Sequence, residues 1–207
     1  MRGNNDWKSV TRNSYDNHAR EFASFTTIFR GKMQKWIDYF ADVLGKGALM
    51  LDVGCGSGRD ASYLTKKGLN VTGIDFSKEL IKIAKNKEPK AKFFVMDFER
   101  IRFPKKAFNG VWAHASLLHV PKQRLLAVLQ KIYAILKEGG LFFVSFRVGE
   151  GECFTTEKRG SAQLQRFYAY YQPEEIHTLL KKAEFRDITD EFDTIETGEW
   201  VVFFARR

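Results

Sequence analysis

Three glycines, each separated from the next by one residue, follow a short apolar segment in the first third of the chain. Residues 48–53 have the pattern of a buried strand and residues 59–67 that of a helix, and between them lie Gly54, Gly56 and Gly58. A strand that turns through glycines into a helix presents backbone N–H groups that a ligand can approach closely. The next apolar strand ends in Asp75, at about the spacing at which nucleotide-binding folds place an acid on a ribose. The pattern predicts an adenosine-containing cofactor.

The glycine spacing distinguishes between two kinds of cofactor. Nicotinamide enzymes usually carry G-x-G-x-x-G, whereas this chain has G-x-G-x-G, with Asp52 two residues before the first glycine. A third apolar strand, residues 92–96, is followed by Asp97 and Phe98. A carboxylate and a ring at this position could contact the edge and the face of an adenine. A solvated turn residue is the alternative for Asp97.

With these residues the chain resembles the class I (Rossmann-like) S-adenosylmethionine-dependent methyltransferases of small-molecule type. The resemblance extends from about Tyr15 to the C-terminus, and it includes a fourth-strand segment at 110–119 and the entry to a fifth strand at 136–141. It implies S-adenosyl-L-methionine as cofactor and S-adenosyl-L-homocysteine as product. It also implies transfer of a methyl group to a small-molecule nucleophile by in-line displacement.

The resemblance further implies a set of cofactor-binding residues at the strand ends. They are Tyr15, Asp52, Gly54, Cys55, Gly56, Gly58, Arg59, Asp75, Phe76, Met96, Asp97, Phe98 and Ala113. Asp75 is expected to hold the ribose hydroxyls, since Ser77 is the better N-cap of the following helix. Asp52 is expected to accept hydrogen bonds from the loop or from the cofactor's ammonium group. For Tyr15, core packing is an equal alternative to covering the methionine end.

Strands and helices alternate along most of the chain, which predicts parallel strands with right-handed crossovers. Two late strands, near 185–192 and 200–204, are joined by a short link containing Gly198 and predict an antiparallel hairpin. We therefore expect an α/β fold with a seven-stranded, mostly parallel Rossmann-like sheet, one antiparallel strand and helices on both faces. Residues 1–207 are expected to form one domain, with an N-terminal helical cap at 1–46 and a substrate lid at 147–171.

Methyl transfer needs mainly alignment, and it needs a base only when the nucleophile carries a proton. His119 and His114 follow the fourth strand and are candidate catalytic bases, with His119 ranked first; a structural histidine is the alternative for each. The lid is longer than an ordinary connection and is expected to be a loop above the strand ends. Its expected substrate-binding residues are Arg147, Glu150, Glu152, Arg166 and Tyr168. The carboxylates suit an amine and the arginines a carboxylate or phosphate, or these groups pair with one another.

Composition restricts the partners. The 207 residues carry a net charge of +9, and residues 78–106 contain ten Lys or Arg against four acids. This stretch is either a solvated surface or a polyanion-binding patch, so the alternatives are an RNA methyltransferase and a non-catalytic S-adenosylmethionine-binding module. No 18-residue apolar run, no N-terminal apolar signal, no cysteine framework and no metal-ligand cluster is apparent in the sequence. A cytoplasmic protein with a small-molecule substrate, no metal and no membrane partner is expected.

Overall fold

The computed structural model describes residues 6–27, 31–195 and 198–207. The helices within these ranges are α1 Asp6–Asn17, α2 Ala19–Phe25, α3 Met33–Leu44, α4 Arg59–Lys66, α5 Lys78–Lys87, α6 Lys122–Ile135 and α7 Pro173–Lys182. The strands are β1 Leu49–Val53, β2 Asn70–Asp75, β3 Lys92–Val95, β4 Phe108–Ala113, β5 Leu136–Arg147, β6 Glu152–Arg159, β7 Ala162–Ala169, β8 Arg186–Ile195 and β9 Gly198–Arg206.

Seven strands form one sheet in the order β3-β2-β1-β4-β5-β9-β8. The first five strands in this order pair in parallel, and β9 is antiparallel to both β5 and β8. The predicted sheet, with its single antiparallel strand and its closing hairpin, is therefore confirmed. The strand order reverses between β1 and β4, where open α/β sheets form a crevice at their carboxyl ends.

Alternate residues of the strands face two separate cores, one on each side of the sheet. Met50 packs in one core with Ile37 and Phe40 of α3, while Leu51 packs in the other with residues of α6 and α7. The side-chain period of two along a buried strand produces this division. Helices on both faces were predicted and are confirmed.

The structure forms two helices, α1 and α2, in the N-terminal region where the sequence predicted a helical cap. The buried face of α1 carries Trp7, Thr11 and Tyr15 at four-residue spacing, and its middle position is polar. The Thr11 hydroxyl accepts a hydrogen bond from the Phe167 amide at 3.0 Å and so attaches α1 to β7. Thr11 interrupts the apolar stripe from which a helix would be recognised. Residues 1–5 and 28–30 of the expected cap lie outside the described residues.

Within the expected lid at 147–171, β6 and β7 form a separate antiparallel hairpin, which was not predicted from the sequence. Along β7 the inward positions are Ala162, Leu164 and Arg166, alternating with exposed glutamines. The alternation is that of a strand, but the third inward residue is an arginine, so the pattern did not appear apolar. The substrate lid itself remains a prediction.

Smaller differences concern element ends. The fourth strand ends at Ala113, so His114 and Ala115 follow the strand. Residues 196 and 197 of the link between β8 and β9 lie outside the described residues. Within the described ranges, no helix is both long enough and apolar enough to cross a bilayer.

Candidate functional site

A cavity of about 830 Å³ opens at the carboxyl ends of the parallel strands, on the crevice side of β1 and β4. This volume lies within the usual range for small-molecule sites. The cavity brings together most of the residues expected from the sequence: Tyr15, Asp52, Gly54, Cys55, Gly56, Arg59, Asp75, Phe76, Phe98, His114, His119, Arg147, Arg166 and Tyr168. The remaining expected residues do not line it: Gly58, Met96, Asp97, Ala113, Glu150 and Glu152.

Asp75, the last residue of β2, is bound to the glycine loop. One carboxylate oxygen accepts from the Gly56 amide at 2.9 Å and the other from the Ser77 amide at 2.8 Å. Ser77 caps α5 by accepting from the Leu80 amide, as predicted. Burial raises the pKa of Asp75 to about 6, although these two amides favour the charged form. Each Asp75 oxygen keeps a further lone pair for a ligand hydroxyl.

The three loop glycines are required for different reasons. All have positive φ, but a Cβ on Gly54 would lie 2.3 Å from Ser116 Cβ, and one on Gly58 would lie 3.0 Å from Ala84 Cβ. Gly58 therefore serves the packing of α4 against α5. At Gly56 the nearest atom, on Phe22, is 3.6 Å away, so this glycine borders the cavity. Gly56 is the position where a ligand can approach the bare backbone.

Asp52 lies on β1, is 2% exposed and faces the cavity with an unsatisfied group. Its Oδ2 atom has no hydrogen-bond partner. Burial, with the nearby Asp60 carboxylate, raises the pKa of Asp52 well above its usual value. A buried carboxylate oxygen without a partner is costly, and a ligand cation or N–H donor at this point would satisfy it.

Asp60 was not predicted as a site residue, although it ends the conspicuous glycine segment. Its carboxylate accepts from Arg59 Nε at 2.6 Å and from Trp112 Nε1 at 2.9 Å. His114 Nδ1 lies 3.2 Å from Asp60 Oδ2 and 3.0 Å from Arg59 Nη2. Burial opposes ionisation, but Arg59 and His114 outweigh it and hold the pKa of Asp60 below its usual range. Asp60 therefore orients the ring of His114 on the cavity wall.

His119 is in a different environment, because both of its ring nitrogens already have partners. Nδ1 lies 2.6 Å from the Phe167 carbonyl oxygen, and Nε2 lies 3.0 Å from the Tyr15 hydroxyl. Tyr15 in turn accepts from Arg166 Nη1 at 2.9 Å. Burial, together with the Arg166 charge, lowers the pKa of His119 to about 3. The ring is neutral at pH 7, and the surroundings are those of a structural histidine.

Arg147 and Arg166 share one carboxylate, that of Glu157. Arg147 Nη2 lies 2.7 Å from Glu157 Oε1, and Arg166 Nη2 lies 2.5 Å from Glu157 Oε2. The sequence predicted acids at Glu150 and Glu152 instead; Glu150 is exposed, and Glu152 accepts from the Lys122 amide. The hairpin register places Glu157 diagonally opposite Arg166, a proximity that is evident only once the strands are paired.

The adenine side departs from the expectation in one respect. Asp97 pairs with Lys8 of α1 at 2.6 Å and accepts from the Glu99 amide at 2.9 Å, outside the cavity lining. Phe98 lines the cavity, and its ring centroid lies 6.1 Å from that of Phe76. The Met96 amide donates to the Asp75 carbonyl, while Ala113 is buried at the end of β4.

Among the residues that the structure describes, no group of three or more His, Cys, Asp or Glu side chains could hold a metal ion.

Comparisons with known proteins agree with this geometry. Residues 50–140 match the family model described as "Methyltransferase domain". Over 131 residues the chain is 34% identical to 2-methyl-6-phytyl-1,4-hydroquinone methyltransferase of Synechocystis sp., covering 61% of this chain and 40% of that protein. It is 28% identical over 162 residues to a ubiquinone biosynthesis O-methyltransferase of Xanthomonas campestris, covering 72% and 67%.

Among solved structures, one similar chain is Burkholderia thailandensis 1,6-didemethyltoxoflavin-N1-methyltransferase with bound 1,6-didemethyltoxoflavin and S-adenosylhomocysteine. The TM-score is 0.76 at 21% identity, and the match covers 100% of this chain and 91% of that one. A likeness at this identity supports the fold. The match to the Synechocystis hydroquinone methyltransferase spans less than half of that protein.

Proposed function

We propose that this chain is a class I (Rossmann-like) S-adenosylmethionine-dependent methyltransferase and that it transfers a methyl group from S-adenosyl-L-methionine to a small-molecule nucleophile. The match of residues 50–140 to a methyltransferase-domain model and the similarity to the Synechocystis methyltransferase support this proposal. The observation that carries the proposal is the cavity wall formed by Asp52, Gly56 and Asp75. It combines a buried carboxylate oxygen without a partner, a glycine with free space beside it and a second buried carboxylate with spare acceptor capacity.

These residues fit the chemical groups of S-adenosylmethionine. Asp75 would accept from the ribose hydroxyls, Asp52 would neutralise the ammonium group, and Phe76 and Phe98 would pack against the base. The cofactor supplies an electrophilic methyl group on a sulfonium. The protein's part is to align the nucleophile in the cavity and exclude water, and alignment can lower a barrier by roughly 7–11 kcal/mol in the best cases.

Of the two histidines proposed as bases, His114 is the better placed. It lines the cavity with 22% of its side chain exposed, and Asp60 orients its Nδ1 side. In the tautomer that donates from Nδ1 to Asp60, Nε2 is the acceptor for a substrate proton, whereas in the other tautomer Nδ1 accepts from Arg59. His119 has partners on both nitrogens and is a weak base at neutral pH.

Replacing His114 by asparagine is expected to lower kcat roughly 100-fold for a substrate whose nucleophile carries a proton. The KM for S-adenosylmethionine should stay within about threefold, because the residue does not hold the cofactor. The matched variant His119→Asn is expected to lower the free energy of unfolding rather than to remove the chemistry. Steady-state kinetics and urea unfolding of both variants test this assignment, and full activity in the His114 variant contradicts it.

Cofactor affinity should depend on pH through Asp75. Its carboxylate is ionised above about pH 6 and protonated below, and only the ionised form accepts from both ribose hydroxyls. The affinity for S-adenosylhomocysteine should therefore be constant near pH 7–8 and fall as the pH drops through 6, approaching tenfold per pH unit. Calorimetric titrations at several pH values measure this slope. In the Asp75→Asn variant, the fall in affinity centred near pH 6 should be absent. Tighter binding of S-adenosylhomocysteine at low pH by the unchanged protein would contradict the proposed role of Asp75.

The first experiment is calorimetric titration of the protein with S-adenosylmethionine and with S-adenosylhomocysteine. Micromolar binding of both, followed by mass-spectrometric detection of methylated products in a small-molecule screen, is the expected result. If a correctly folded protein binds neither compound, the proposal is wrong. If it binds both but methylates none of the tested compounds while a partner protein responds to the cofactor-bound form, the non-catalytic module is favoured.

An RNA substrate has less support from the arrangement of charges. None of the ten basic residues within 78–106 lines the cavity. Steep salt dependence of RNA binding, together with RNA methylation, would favour this alternative. The proposal also includes a cytoplasmic location, supported by Cys55 and Cys153 being free thiols.

A further inference from the structure

The wall of the cavity that lies beyond the cofactor residues carries two buried arginines. Arg147 is the last residue of β5 and Arg166 lies on β7, with 9% and 4% of their surfaces exposed. Both side chains line the cavity. Arginines are rarely buried to this extent unless their charge is balanced.

The charge of this pair is only half balanced. Glu157 contributes one negative charge, and each of its oxygens contacts one of the two guanidinium groups. Arginine stays protonated in proteins, so a net positive charge remains beside the cavity. In addition, the Nε atoms of both arginines are buried and lack hydrogen-bond partners. An incoming anion would satisfy both the unbalanced charge and the unused donors.

The guanidinium groups are held in place by aromatic rings. Arg147 Cζ lies 4.7 Å from the Tyr168 ring centroid and Arg166 Cζ lies 5.2 Å from it, so Tyr168 contacts both. Arg166 is also fixed by its hydrogen bond to Tyr15. Groups that are already ordered lose little entropy when a ligand binds, which favours recognition of a planar or tetrahedral oxyanion.

Chains of contacts connect this wall with the other residues of the site. The Tyr15 ring lies 6.3 Å from that of Phe76, which follows Asp75. On the other side, Trp200 lies 5.4 Å from Arg147 and 6.5 Å from His114. The two arginines therefore face the same cavity as the groups proposed for the cofactor and for the proton.

From these observations, and resting on the proposed function, we propose that the methyl-accepting substrate carries an oxyanion, a carboxylate or a phosphate, bound by Arg147 and Arg166. The nucleophile and the anionic group belong to the same small molecule, and binding of the anion positions the nucleophile. A neutral or cationic substrate would leave the excess charge and both Nε donors unsatisfied.

The test uses four probes of similar size: benzoate, phenyl phosphate, neutral benzyl alcohol and cationic benzylammonium. Each is titrated calorimetrically into the protein alone and into the protein saturated with S-adenosylhomocysteine. Benzoate or phenyl phosphate, or both, should bind with a Kd of about 1 mM or tighter and at least about tenfold more tightly than the other two. The preferred anion distinguishes a carboxylate from a phosphate substrate.

Variants connect the binding to the two arginines. Arg147→Gln and Arg166→Gln should each weaken binding of the anionic probes roughly 10- to 100-fold, because a charge-assisted, two-donor contact is lost. The matched control Arg102→Gln, an exposed residue outside the cavity, should bind them as the unchanged protein does. If a glutamine variant fails to fold, Arg147→Lys and Arg166→Lys serve instead. They keep the positive charge but remove the planar guanidinium with its paired donors, so they should still weaken binding of the anionic probes.

Two failures are distinguishable in this design. If S-adenosylhomocysteine binds but the four probes bind equally, or the arginine variants bind the anions unchanged, the oxyanion site is disproved and the proposed function stands. If S-adenosylhomocysteine does not bind, the proposed function fails, and the titrations without it still decide whether the arginines hold an anion.

Discussion

Replacing Asp75 with alanine is expected to lower the affinity for S-adenosylhomocysteine by at least about 100-fold. If Asp75 has the proposed role, the variant loses acceptors for two ribose hydroxyls, and hydrogen bonds to a charged group contribute about 1.5–3 kcal/mol each. It also leaves the Gly56 and Ser77 amides without the acceptors that they now have. Isothermal titration calorimetry of the two proteins measures the difference directly.

Two further variants isolate the cause. Asp75→Asn keeps the side-chain volume but directs an amide N–H₂ group at one of the two backbone donors, so it should also bind poorly. Asp42→Ala removes an exposed carboxylate of α3 outside the cavity and should bind normally. Retained affinity in a folded Asp75→Ala variant would show that the ribose is held elsewhere.

Replacing Glu157 with glutamine is expected to destabilise the fold by about 3 kcal/mol. The change removes the one negative charge that contacts both Arg147 and Arg166, and breaking a buried ion pair from one side usually costs about 3–5 kcal/mol. For a domain of this size the melting temperature should fall by roughly 6–12 °C. Urea unfolding and thermal melts followed by circular dichroism measure both quantities.

Glu138→Gln is the matched control, because Glu138 pairs with Lys106 at an exposed site, where 63% of the glutamate side chain is accessible. Exposed pairs contribute about 0–1 kcal/mol, so this variant should melt close to the unchanged protein. If the two glutamine variants lose the same small amount of stability, the arginines are not electrostatically dependent on Glu157.

The grouping of the proposed cofactor residues in one cavity could be predicted because these residues are close in the sequence. Asp52, the glycine loop and Asp75 belong to two consecutive strands and the turns that follow them, and parallel pairing of β1 with β2 brings their carboxyl ends together. Asp97 shows where this reasoning stops. Its position along the chain suits an adenine contact, but the structure pairs it with Lys8, 89 residues away.

The proposed substrate side of the cavity depends on contacts between distant segments. Tyr15 meets His119 across 104 residues and Arg166 across 151 residues, and no local pattern encodes such a meeting. The sequence identified Arg147, Arg166 and Tyr168 as chemically interesting, yet it gave the arginines the wrong acidic neighbours, because Glu157 approaches them only through the hairpin register.

By itself, then, the sequence determined the order of strands and helices, the glycine turn and the acids at the strand ends, since strand and helix periodicity and turn chemistry operate over a few residues. The tertiary structure alone decided that α1 packs on β7 and that two arginines share one glutamate. It also decided that His119 is neutral with both ring nitrogens in hydrogen-bond contact, while His114 lines the cavity. The physical reason is that burial, charge balance and the pKa of a side chain depend on neighbours that are distant in the sequence and meet only when the chain folds.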